Sequence, residues 1–165
     1  MTVHDLLKSL QNTGFATTIG EDPNLFPWIE SFHVLAIVLV VGTISIIDLR
    51  LLGVPAHRSG LRRLMADVLP LTWCAFCVAL VTGFLLFASA AAKYGGLPAF
   101  QIKMALLVLA GLNMTFFHVV TFRSIHLWDE LIETPIAAKL AGGGSLCLWI
   151  SVLVFGRLIG FSGQQ

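Results

Sequence analysis

WIESFHVLAIVLVVGTISIIDLR, residues 28–50, carries no Asp, Glu, Lys or Arg between Glu30 and Asp48. An uncharged apolar run of about 17 residues or more is long enough to cross a hydrocarbon core of roughly 30 Å as a helix. Residues 68–92, 104–122 and 140–156 are likewise free of charge. With 57% hydrophobic and 12% charged residues in a chain of 165, little is left over for a soluble domain. The sequence predicts an all-α integral membrane protein, one domain over 1–165, built as an up-down-up-down four-helix bundle.

The predicted spans run over about 28–52, 67–92, 99–123 and 137–161. Gly53 and Pro55 end the first, Tyr94, Gly95, Gly96 and Pro98 make a tight turn after the second, and the third and fourth are linked by SIHLWDELIET. That linker alternates apolar and charged residues, as an interfacial extension stopped by Pro135 does. Residues 1–27 form a surface segment. It lacks the continuous apolar core of a signal peptide, and Leu6, Leu7, Leu10 and Phe15 point to a short amphipathic helix on the membrane surface. Pro23 and Pro27 punctuate the approach to the first span, where Trp28 suits the interface.

A formal net charge of +1 gives no electrostatic case for nucleic acid as a partner. The basic residues do bear on orientation. If the first connecting loop is cytoplasmic, Arg50, Arg58, Arg62, Arg63, Arg123 and Lys139 are inside, and Lys8, Lys93, Lys103 and Arg157 are outside. The positive-inside rule then predicts both termini on the outer side, the periplasm for a bacterial inner membrane. Cys74, Cys77 and Cys147 all lie within spans, and the C-x-x-C in LTWCAFCVAL reads as small helix-packing residues.

Two histidines lie inside the apolar runs. His33 shares a helical face with Glu30, Ile37, Val40 and Ile44. In FQIKMALLVLAGLNMTFFHVVTFR, residues 100–123, Gly111, Met114 and His118 follow at three- and four-residue steps, with Lys103 near the stripe. Ionisable groups in a membrane are costly and are functional candidates. Neutral imidazole is a common ligand for haem iron, and Arg50, Arg123 and Lys103 are candidates to pair its propionates at a bundle mouth. Alternatively, each histidine bonds a backbone carbonyl or a neighbouring Ser, Thr or Glu and ties helices together. The mid-span glycines Gly42, Gly83 and Gly111 suit close helix packing, and also clearance for a flat macrocycle.

The helical rise separates His33 from His118 by about 20 Å in depth, too far to share one iron. The alternatives are two sites, or one histidine completed by another donor: Met104, Lys103 or water opposite His33, and His57 opposite His118. On the inner side His126, Glu130 and Glu133 share a face, accompanied by Asp129. No dense ligand spacing such as H-E-x-x-H accompanies them, so a solvated charged face is the plainer reading. Asn113 reads as interhelical glue, Asp48 as a span-end charge and Arg157 as an interfacial anchor.

Trp28, His33, Gly42 and the Arg50-Leu51 pair of span one, with Lys103 early in span three, resemble the HemJ-type protoporphyrinogen oxidases and the related CopD-like copper-resistance membrane domains. The resemblance covers about half the chain. It implies haem b as cofactor, with His33 and Lys103 as functional residues. A polar Arg and Asn-Glu-Pro-like motif of that family's fourth span is absent from GSLCLWISVLVFGRLIGFSG. The expectation is therefore a haem-binding scaffold rather than a porphyrinogen oxidase. It would be a haem-b protein passing electrons between a quinone or membrane dehydrogenase and an outer-face partner, with His33 and then His118 as axial ligands. Two rival expectations are a CopD-like copper path through Met104, Met114, Cys74, Cys77 and the histidines, and a structural subunit of a larger complex. Each places the protein in a lipid bilayer, as a homo-oligomer or beside another subunit.

Overall fold

The computed structural model describes residues 2–54, 60–121 and 134–162, all helix or short connection with no strand among them. In chain order the helices are α1 (Val3–Gln11), α2 (Gly14–Glu21), α3 (Leu25–Leu51), α4 (Leu61–Ser89), α5 (Ala91–Gly96), α6 (Pro98–Phe116) and α7 (Ile136–Ser162). A π-helical turn, Phe117–Thr121, continues α6 directly. Helices α3, α4, α6 with its π turn, and α7 are long and apolar enough to cross a membrane. They form the expected four-helix bundle, with α1 and the last turns of α7 at the same end of it.

Several boundaries differ from the sequence expectation. Helix α4 begins at Leu61 rather than near 67, because Arg62 and Arg63 are good helix formers and extend the span into its basic approach. The turn between the second and third spans is itself helical, as α5. The surface segment is two helices, broken at Asn12–Thr13. Thr2 and Asp5 form a reciprocal capping box at the start of α1, holding the Asp5 carboxyl below its ordinary range. Helix α1 seats Leu7 against Gly95 of α5, and Gln11 Oε1 accepts from the Ala92 N–H at 3.1 Å. Helix α2 buries Ala16 and Ile19 and lays Gly20 beside the Ser89 carbonyl of α4. Val3, Leu6 and Phe15 remain exposed. The SIHLWDELIET extension lies outside the described residues, apart from Thr134.

The spans pack as two antiparallel hairpins, α3 with α4 and α6 with α7, joined along a seam between α3 and α7; α4 and α6 barely meet. Lipid is as apolar as a leucine side chain, so burial supplies little drive for helices to associate in a bilayer. Close backbone approach and interhelical hydrogen bonds take its place. Across α3 and α4, Thr72 donates to Thr43 Oγ1 at 2.9 Å. Ten residues towards the other end of each helix, His33 Nδ1 meets Thr82 Oγ1 at 3.0 Å, which fixes the antiparallel register. Across α6 and α7, Asn113 Nδ2 donates to the Ala141 carbonyl at 3.0 Å, the interhelical role expected of it.

The α3–α7 seam is made by the glycine triplet. A Cβ on Gly142 would stand 2.9 Å from Leu51 Cβ and 3.0 Å from the Asp48 carbonyl oxygen, while Gly143 faces Leu52 and Gly144 faces Asn113. Around this seam Ile47, Leu51, Leu61, Met65, Phe117, Ala138 and Ala141 form a core that draws on all four spans, at the end away from α1 and α2. Gly42 and Gly111, by contrast, are exposed with nothing near them. Gly142→Ala forces α3 and α7 apart. It is expected to cost about 1–3 kcal/mol in a denaturant titration of the protein in micelles, whereas Gly42→Ala is neutral or slightly stabilising. Equal effects of the two substitutions would refute this account of the seam.

Candidate functional site

His33 lies on α3, one turn below Glu30 and at the level of Thr82 and Gly83 on α4. The missing Gly83 side chain is what lets the imidazole lie against α4: an added Cβ would fall 2.8 Å from His33 Cε1. Thr82 has one hydroxyl proton, and the Val78 carbonyl 2.6 Å away takes it. The Thr82 oxygen is therefore the acceptor for His33 Nδ1–H. Protonation at Nδ1 leaves the lone pair on Nε2, the arrangement by which a metal-ligating histidine is oriented.

Lys103 reaches the same region from α6. Its Nζ stands beside Gly156 of α7, 3.6 Å from where a Cβ would be. Among the described residues nothing hydrogen-bonds or ion-pairs with this half-buried ammonium. Each of the four spans thus contributes: α3 the imidazole, α4 its seat and hydroxyl, α6 the ammonium, and α7 the glycine that gives the ammonium room. Above the pair, Phe87 of α4 and Phe100 of α6 stack at 4.9 Å between centroids, bridging two helices that otherwise scarcely touch.

The other sequence candidates lie elsewhere. The Gly111, Met114 and His118 stripe is a helical face, but it is not the inward one: Gly111 and Met114 are exposed. The inward stripe is Lys103, Leu106, Ala110, Asn113 and Phe117, one residue out of step. His118 sits in the π turn, half-buried, edge-on to Phe117, with Nδ1 bonded to the Met114 carbonyl of its own helix at 2.9 Å. Phe117 packs in the core with Leu51, so His118 is about 27 Å of helical rise from His33, further than the sequence estimate. Arg50 lies at that far end and cannot serve His33. Arg123, His57, His126, Asp129, Glu130 and Glu133 fall outside the described residues.

Among the described residues no three His, Cys, Asp or Glu side chains come together as a metal site. Cys74, Cys77 and Cys147 are exposed, so they do not pack the chain's own helices as expected. Gly83 is filled by the His33 ring and Gly156 by the Lys103 stem, which gives both glycines a role in the site. A shallow groove of about 450 Å³ lined by Glu30, Ser31, Val34, Leu35 and Val38 runs along a different face of α3 from that of His33.

Sequence reasoning passed over Thr82, Gly156 and Tyr94. Tyr94, on α5, has its phenol pushed above the ordinary range by burial and then by the Glu30 carboxylate. It is the only tyrosine in the chain, so phenolate absorbance titrates it alone. The expected midpoint lies above the ordinary value of about 10, and Glu30→Gln brings it part of the way back. The unfolded chain gives up this proton more readily, so stability falls as pH rises past the unfolded value. A midpoint at or below 10 would contradict the placement of Tyr94.

No curated protein and no solved structure matches this chain. One family pattern does, over residues 12–162, which takes in all four spans and leaves out α1. The chain belongs to the family described as DUF6644, a family of unknown function.

Proposed function

We propose that the protein is a b-type haem protein of a bacterial inner membrane, with both termini on the periplasmic side. It passes electrons between a quinone or membrane dehydrogenase and a partner on the outer face. The observation that carries this reading is the His33 ring held through Nδ1 by Thr82 against Gly83, with the Lys103 stem lying against Gly156 of the second hairpin. A haem needs an oriented imidazole for its iron and a cation for a propionate, and these two residues suit those needs. Haem bound there would supply one-electron chemistry. The chain's part is to hold the His33 tautomer through Thr82, to neutralise a carboxylate with Lys103, and to keep water away with the Phe87–Phe100 pair. The six-to-four bias of basic residues supports the orientation. Exposed Gly42 and Gly111 on uncovered faces of α3 and α6 suit close approach by another copy or subunit.

The same seat supports a second reading. A ring bonded to Thr82 and closed on Gly83 is sufficient as a tie between α3 and α4, in a subunit that anchors a larger complex. The copper path has less behind it, since its donors do not come together among the described residues.

Purified from haem-replete cells, the protein is expected to show a Soret band that sharpens and shifts on dithionite reduction. His33→Ala loses most of that band and His118→Ala keeps it. Lys103→Ala retains the band but gives up haem several-fold faster to a haem-scavenging protein. A colourless protein that takes up no haem on reconstitution refutes the haem reading and leaves the tie.

A further inference from the structure

Among the described residues Asp48 is the one buried ionisable side chain, at 4% exposure. It sits near the end of α3, inside the seam with α7, between the core residues Ile47 and Leu51. The Ser145 hydroxyl of α7 bonds its carboxyl. The other oxygen, Oδ2, is inaccessible and has no hydrogen-bond partner. A buried charge normally carries a counter-charge or several donors, because an unpaired one costs several kcal/mol.

Among the described residues no such compensation is present. Arg50 is two residues along the same helix, where side chains do not face each other. On α4, Arg62, Arg63 and Asp67 are exposed, as is Lys139 on α7. His118 in the π turn is bonded to the Met114 carbonyl.

We propose that Asp48, together with Ser145, is a proton-binding site inside the membrane bundle. The occupant follows from the number of oxygens. A hard metal cation calls for about six oxygen ligands, and the described residues offer here the two carboxyl oxygens and one hydroxyl. The Asp48 backbone carbonyl is already taken by the Leu52 N–H at 3.0 Å and covered by Gly142. A buried water needs two to four polar partners, and Oδ2 alone is left to receive one. A proton needs a single oxygen. When it is bound, the carboxyl is neutral and keeps its Ser145 bond. When it leaves, a negative charge appears where Gly142 holds α7 against α3, so the seam registers the change. A carboxyl that loads and unloads a proton within a bundle is the element that proton-coupled membrane chemistry requires. The assignment does not depend on haem.

Infrared difference spectroscopy of the full-length protein in lipid vesicles tests this directly. Between acidic and alkaline bathing solution, a carbonyl stretch of a protonated carboxylic acid in an apolar setting should appear and disappear reversibly. Asp48→Asn should remove that band from the difference spectrum. Ser145→Ala keeps the carboxyl and removes its hydrogen bond, so the band should move to higher frequency; this variant also covers the case in which Asp48→Asn does not fold. A difference spectrum without such a band, a band that survives Asp48→Asn, or one unmoved by Ser145→Ala overturns the proposal.

Discussion

The weakness of apolar attraction between helices that already sit among apolar chains governs this bundle. In water, burying leucines would be enough to close four helices; in lipid the same contact gains little. What is left is the handful of places where a hydroxyl, an amide, an imidazole or a missing side chain lets two backbones come close. Thr43 with Thr72 and His33 with Thr82 set the α3–α4 register, Asn113 joins α6 to α7, and Gly142 joins the two hairpins. Each is worth about a kcal/mol or less on average. Their value lies in specifying one alignment among many apolar ones.

The polar residues are distributed unevenly along the bundle. One end is packed, with a core from all four spans and Asp48 set into it. The other end holds His33 and Lys103 and is capped by α1, α2 and α5. The packed end fixes the relative position of the hairpins, and so of an imidazole carried by one and an ammonium carried by the other. His33 is a structural tie, its ring held between the Thr82 hydroxyl and the open backbone at Gly83.

The spans were legible because uncharged length is all that a membrane crossing asks of a sequence. Which face turns inward was legible only in part, and α6 shows why. Gly111, Met114 and His118 step correctly for a helical face, but with leucine and valine on every side the apolar pattern does not distinguish core from lipid. Lys103 and Asn113, the polar residues of that helix, mark the inward stripe. On α3 the stripe His33, Ile37, Val40 and Ile44 was read correctly, and one further step leads to Asp48. Reading that residue as a span-end charge gave weight to its place in the chain over its helical phase. Thr82 and Gly156 were out of reach, since nothing local to either announces which residue on another helix it will meet.

The division into hairpins has a consequence for biogenesis. Both α3–α4 ties, the Gly83 seat and the contact of α2 with Ser89 lie within the first 89 residues, so His33 can be oriented while the rest of the chain is still being made. Lys103 and Gly156 arrive only with the second pair of helices. Completion of the His33 and Lys103 arrangement is thus tied to completion of membrane insertion, and a half-translated chain holds an aligned imidazole without the lysine of the second hairpin.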